Sequence, residues 1–230
     1  MMKEESCSID KKGCETINKD GSINLEKHWC NVYTAVDIET LGWYEKESKP
    51  TLELIGKTNI TKDATMFILG AGASTLIDSL VEQGYSDLIV NDISSCAMSN
   101  IKARLAKQAE NIEFITDDIV NPEYLNNIKP IDFWIDRAVL HFFTEEGDQN
   151  KYFKLLNDKV KKGAYVILAE FNLEGAEKCS GLAVKRYNTE MLQEKLGAEY
   201  NLIENFDYDY YMPSGKLRKY VYTLFQRNTK

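Results

Sequence analysis

Met66-Phe67-Ile68-Leu69-Gly70-Ala71-Gly72-Ala73-Ser74-Thr75, answered by Leu88-Ile89-Val90-Asn91-Asp92, decides how this chain folds. An apolar strand runs into small residues, a helix is expected to open at Ser74, and an acid ends the next strand twenty positions after Gly72. That order of strand, glycine corner, helix and acid-terminated strand is one half of a nucleoside-binding α/β unit. Gly70 and Gly72 let the backbone approach a ligand, the helix N-terminus presents N–H groups without intrahelical partners, and Asp92 can accept from both ribose hydroxyls. Ala71 and Ile93 border these corners and join the expected cofactor-binding set.

Outward from this unit the pattern alternates. Strands are expected near 65–70, 87–92, 112–116, 131–136 and 164–171, with helices near 74–83, 95–108, 148–161 and 189–196 between them. Gly84 and Gly163 fall where helix-to-strand turns want positive φ. Residues 201–211 and 217–226 are aromatic, β-branched runs around Met212-Pro213-Ser214-Gly215-Lys216, a hairpin signal. The reading is α/β: a mainly parallel sheet with helices on both faces, finishing in an antiparallel hairpin. Upstream, Trp29, Val32, Tyr33 and Val36 share a helical face, and Thr51-Leu52-Glu53-Leu54-Ile55 reads as the end of a second short helix. The expected organisation is a disordered polar leader over 1–25, a helical aromatic lid over 26–60 and the main domain over 61–230.

Composition narrows the partners. A net charge of −8 repels polyanions, and no dense Lys/Arg run with interleaved aromatics appears, so nucleic acid is not expected as substrate. Five scattered cysteines, no CxxC pair and two histidines argue against a metal site or a disulfide framework, and reduced cytoplasmic thiols are expected. No signal peptide or membrane-length apolar run is found, and a monomer acting on a small molecule is the expected state.

The third strand, Ile112-Glu113-Phe114-Ile115-Thr116, leads into Asp117-Asp118-Ile119 at the same sheet edge, where Asp118 can accept from an adenine amino group and the Ile119 N–H can donate to a ring nitrogen. Against a nicotinamide cofactor, Thr75 replaces the third glycine of GxGxxG and no Tyr-x-x-x-Lys pair exists. S-adenosylmethionine carries no phosphate and needs only a glycine corner and an acid for its ribose.

From about His28 onward the chain resembles class I S-adenosylmethionine-dependent methyltransferases, through HWCNVY, LGWYE, LGAGAST, NDIS, WIDRAVLHFFT and KCSGLAVKRYN in that order. The Trp134-Ile135-Asp136-Arg137 region, with Asp148 and Tyr152 downstream, is similar to thiopurine S-methyltransferases, and a more distant likeness runs to lysine methyltransferases of elongation factors. The resemblance implies a Rossmann-like, doubly wound, seven-stranded sheet. It also implies an acid near the end of the first strand that helps hold the cofactor's ammonium, a position filled here by Ile68. Asp136 is then expected to take over that contact or to orient the acceptor.

Methyl transfer from a sulfonium asks mainly for alignment and a dry pocket. Asp136 and Arg137, at the end of the fourth strand, are candidate catalytic residues, with Arg137 expected to clamp the acceptor. His141 is a third candidate by position, although its run Val139-Leu140-His141-Phe142-Phe143 equally suits a core histidine. Cys179 is expected to shape a loop over the acceptor. Trp29, Tyr33 and Trp43 are expected to cover the cofactor, excluding water and offering π-faces to the sulfonium. Small-molecule methylation, preferably at a thiol, is the leading expectation; protein lysine methylation and non-catalytic cofactor binding are the alternatives.

Overall fold

The computed structural model describes residues 16–18 and 21–229. Most of the expected leader therefore lies outside the described residues; within its described part, Ile17 pairs with Ile23 in an antiparallel bridge. Asn24 then caps helix α1 (Leu25–Ala35) by accepting from the Lys27 N–H. A short 3-10 turn (Ile38–Thr40) leads to α2 (Lys49–Gly56), which begins with Pro50 where a missing N–H costs nothing.

The alternation follows as expected: β1 (Thr65–Leu69), α3 (Leu76–Glu82), β2 (Asp87–Asp92), α4 (Ser95–Leu105), β3 (Ile112–Thr116), β4 (Ile131–Arg137), α5 (Glu146–Lys159) and β5 (Val160–Phe171). A two-stranded flap, β6 (Lys178–Cys179) and β7 (Leu182–Ala183), precedes α6 (Thr189–Leu196) and the closing hairpin β8 (Tyr200–Tyr211) and β9 (Leu217–Arg227). The main sheet has seven strands in the order β3-β2-β1-β4-β5-β9-β8. All neighbours run parallel up to β5, and β9 is antiparallel to both β5 and β8.

The strand period of two sorts the core into layers. Phe67, Leu69, Trp134, Val166 and Leu168 face α5 and α6, burying Tyr152, Leu156, Leu192 and Leu196. Met66, Ile68, Val90, Ile135 and Ile167 face the other way, onto Leu54 of α2, Ile77 and Leu80 of α3, and Ile101 of α4. Covering on both faces is why β1 reads as a continuous apolar run. Chain order reverses between β1 and β4, so their carboxyl ends splay into a crevice.

Three local expectations are corrected. The helix after β1 starts at Leu76 and not Ser74, because the Ser74 N–H turns back to the Ala71 carbonyl (2.7 Å) and its Oγ accepts from the Leu76 N–H. Gly163 sits inside β5 beside a register irregularity opposite Ile131 and Phe133, not in the turn from α5, although its φ of +80° is as expected. The third concerns the thiols: Cys30 and Cys96 form a disulfide with Cα atoms 5.1 Å apart, against the expected reduced state. Helix α1 lies across α4 and brings together residues 66 apart in sequence, a contact that no spacing motif records. Cys179 is free and buried. Among the described residues no helix is long and apolar enough to cross a membrane.

Closing a loop of this length restrains the unfolded chain by about 2–4 kcal/mol. Cys30→Ser is expected to lower stability by that order in denaturant titration, and reduction should then leave the variant's midpoint unchanged while lowering that of the parent protein.

Candidate active site

A cleft with a cavity volume of about 110 Å³ occupies the crevice between β1 and β4. Its floor is built by three successive strand ends. Gly70 and Gly72 follow β1 with φ of +58° and +48°, which only glycine adopts freely. A Cβ at Gly70 would meet the Val139 side chain at 2.1 Å, and one at Gly72 would meet the Tyr33 hydroxyl at 2.2 Å. Asp92 at the end of β2 ties the corners together: Oδ2 accepts from the Gly72 N–H and Oδ1 from the Ser94 N–H, both at 2.8 Å. Burial outweighs these bonds and pushes its carboxyl up to about 6. Beyond β3, Asp117 accepts from the Glu123, Tyr124 and Leu125 N–H groups and so folds the loop that presents Asp118 and Ile119 to the cleft. Asn91 donates to the Ile115 and Asp117 carbonyls and locks β2 to that loop.

The N-terminal segment roofs the cleft. Trp29 meets Trp43 edge-on at 5.7 Å and Phe142 at 5.2 Å, and Tyr33 meets Trp43 at 6.2 Å. Trp29, Tyr33 and Trp43 all line the cavity, with Ile93, Asp118, Ile119 and Arg137 of the expected set. The opposite wall comprises Phe142, Cys179 and Tyr220. Cys179 stands on the β6–β7 flap, its sulfur 3.3 Å from an Arg218 nitrogen, with burial pushing its thiol up. Tyr220 comes from the aromatic run of the closing hairpin; its membership of the site depends on β9 pairing with β5, which sequence spacing does not specify.

Arg137 is largely buried and spans the roof and the sheet. Its Nε donates to the Tyr222 hydroxyl (3.0 Å), Nη1 to the Trp43 carbonyl (3.1 Å), and Nη2 lies 3.1 Å from Glu45 Oε1. The guanidinium also lies over the Tyr220 ring at 4.9 Å.

Asp136 and His141 do not line the cleft. Asp136 is fully buried beneath it, where its carboxylate accepts from the Val139 and Leu140 N–H groups and from the Tyr152 hydroxyl at 2.7 Å. Tyr152 in turn accepts from the Trp134 indole. Glu170 on β5 completes this buried group beside Asp136, its Oε2 accepting from the His141 N–H. Burial, then the Asp136 charge, holds Glu170 well above the usual carboxylate range, so it carries the proton between the two acids. Burial also depresses His141 to about 3, leaving a neutral ring 3.3 Å from Glu170. Ala71 and Gly72 lie outside the main cleft; Ala71 borders a smaller cavity, and Gly72 serves through its N–H to Asp92 and its contact with Tyr33.

The architecture is the doubly wound sheet with a terminal antiparallel hairpin and a cleft at its switch point. Solved S-adenosylmethionine-dependent methyltransferases share it. No family model matches the chain, and no curated protein matches its sequence. A methyltransferase of this kind from Anabaena variabilis is 14% identical over 93% of this chain and 98% of its own, with a TM-score of 0.70. The N-methyltransferase NodS from Bradyrhizobium japonicum, in complex with S-adenosylhomocysteine, is 12% identical over 78% of this chain and 86% of its own, with a TM-score of 0.59. A 1,6-didemethyltoxoflavin-N1-methyltransferase from Burkholderia thailandensis, holding its acceptor and S-adenosylhomocysteine, is 14% identical over 72% of each chain, with a TM-score of 0.55.

Because Glu170 binds its proton more tightly in the folded than in the unfolded state, its contribution is present at low pH and lost as pH rises through its folded value. Glu170→Gln is isosteric with the protonated acid and its amide can donate to Asp136. The variant is expected to lose most of the Glu170-dependent gain in melting temperature between pH 7.5 and 5.5; His141 pulls the opposite way in both proteins and cancels in the comparison. An undiminished gain in the variant counts against a protonated Glu170.

Proposed function

We propose that the chain is an S-adenosylmethionine-dependent methyltransferase acting on a small-molecule acceptor, with thiol sulfur preferred. The observation that carries this reading is the polarity of the cleft. Its ionisable acids, Asp92, Asp117 and Asp118, gather at the end suited to adenosine, whereas Trp29, Phe142, Cys179 and Tyr220 leave the other end aromatic and without a histidine or carboxylate. Asp92 offers its free lone pairs to ribose hydroxyls, and Asp118 and the Ile119 N–H suit the adenine edge. Bound there, the cofactor supplies an activated methyl group open to in-line displacement.

The chain's own part is alignment and exclusion of water. A thiol needs little help to react, since its thiolate forms near neutral pH. The Arg137 charge at the cleft wall favours that thiolate, although the partners on its three nitrogens make it a strut for the roof more than a free acceptor clamp. Asp136 acts from below as a positioning residue, by fixing the Val139 and Leu140 backbone against Gly70. The aromatic roof favours a small acceptor over a lysine on a folded protein.

Calorimetric titration with S-adenosylmethionine, S-adenosylhomocysteine and NADH tests the cofactor: affinity on the order of micromolar is expected for the first two and none for NADH. Absence of adenosyl binding overturns the proposal. Radiolabel from the methyl group is then expected in thiol compounds; label in protein would favour the lysine alternative. Protonating Asp92 removes the acceptor for the ribose hydroxyls, so affinity should fall as pH drops through about 6. Roughly tenfold weaker S-adenosylhomocysteine binding is expected at pH 5 than at pH 7.5. Asp92→Asn should bind weakly at both values and lose this dependence.

A further inference from the structure

Beside the main cleft lies a second, smaller cavity of about 50 Å³, separated from it by Trp43, Leu69, Gly70 and Arg137, which wall both. With adenosine fixed by Asp92 and Asp118, the amino-acid tail of the cofactor extends past Gly70 toward this second space. An ammonium buried there requires a counter-charge. The β1 residues on its wall are Ile68 and Leu69, which offer none. The rest of the wall includes Ser48, Thr51, Ser74 and Ile135, and its one carboxylate is Glu45.

Glu45 does not belong to the sheet domain's cofactor loops; it arrives from the N-terminal roof, between the 3-10 turn and α2. Its backbone is pinned to the β1 corner by the Thr75 hydroxyl, which donates to its carbonyl at 3.0 Å. Its side chain is 7% exposed, and its Oε1 is buried without a hydrogen bond of good geometry although Arg137 Nη2 lies 3.1 Å away. Burial pushes its carboxyl above the usual carboxylate value, and the Arg137 charge and the Ser48 hydroxyl offset that push only in part. Its carboxylate lines the second cavity, and Oε1 keeps a lone pair for a further donor beside Arg137 Nη2.

Resting on the methyltransferase reading, we infer that Glu45 is the carboxylate that receives the cofactor's ammonium, supplied by the roof in place of the acid that Ile68 lacks. Arg137 holds it in place.

The test compares two ligands on two proteins. S-adenosylhomocysteine carries the amino-acid tail, and 5′-methylthioadenosine has the same nucleoside without it. For Glu45→Gln, calorimetry is expected to give an S-adenosylhomocysteine affinity about 10–100-fold weaker than that of the parent protein, with 5′-methylthioadenosine affinity unchanged within about twofold. Equal weakening of both ligands would show that Glu45 merely props the cleft and would overturn the inference, as would unchanged binding of both. If the parent protein binds neither ligand, the methyltransferase reading itself fails, an outcome separate from the other two.

Discussion

Arg137 is the charge through which the roof meets the sheet. It ends β4, one of the two strands that diverge at the crevice, and reaches the Trp43 carbonyl and Glu45 on one side and the Tyr222 hydroxyl on the other. An ion pair this enclosed is weak evidence for stability, because desolvating both charges offsets much of their attraction. Its value here is geometric. With a fork of donors fixed in one plane, it sets where the aromatic segment lies relative to the hairpin, and so how much room the cleft has.

Below that level, a second buried polar group gives the β4 end its shape. Trp134, Tyr152, Asp136 and Glu170 form a chain of donors and acceptors with no water-facing end. Asp136 converts the end of a strand into a turn by taking two consecutive backbone N–H groups, and that turn presses Val139 against Gly70. Ala138, with φ of +69°, is the non-glycine residue that bends to make it. The residues that most resemble catalytic groups in the sequence thus build the floor under the site.

The sheet was legible because its causes are local. Apolar runs of strand length, alternating with helical periods and stopped by glycine, needed no distant partner to be recognised; the acids at the ends of β2 and β3 were visible as the first polar residues after such runs. The roof was visible as a density of aromatics with two short helical patterns, over residues 29–36 and 51–55, which match α1 and α2. What escaped were contacts between segments with no pattern in common: Glu45 with Arg137, Cys30 with Cys96, Tyr33 with Gly72, and Tyr220 in the cleft wall. Asp136 and His141 were placed near the right strand end, yet which way a side chain points after a strand stops depends on turn geometry, and the turn is set by Asp136 itself.

The bond from Cys30 to Cys96 gives the roof a fixed jamb. It fastens α1 to α4, the helix whose N-terminal cap lies next to Asp92, so one side of the covering cannot lift away from the Asp92 end of the cleft without carrying α4 along. The other side, from Ile38 to Ser48, is held by hydrogen bonds and the Glu45 pair. The covering is therefore held unequally: one edge is joined to α4 by a covalent bond, and the other rests on one ion pair and a few hydrogen bonds.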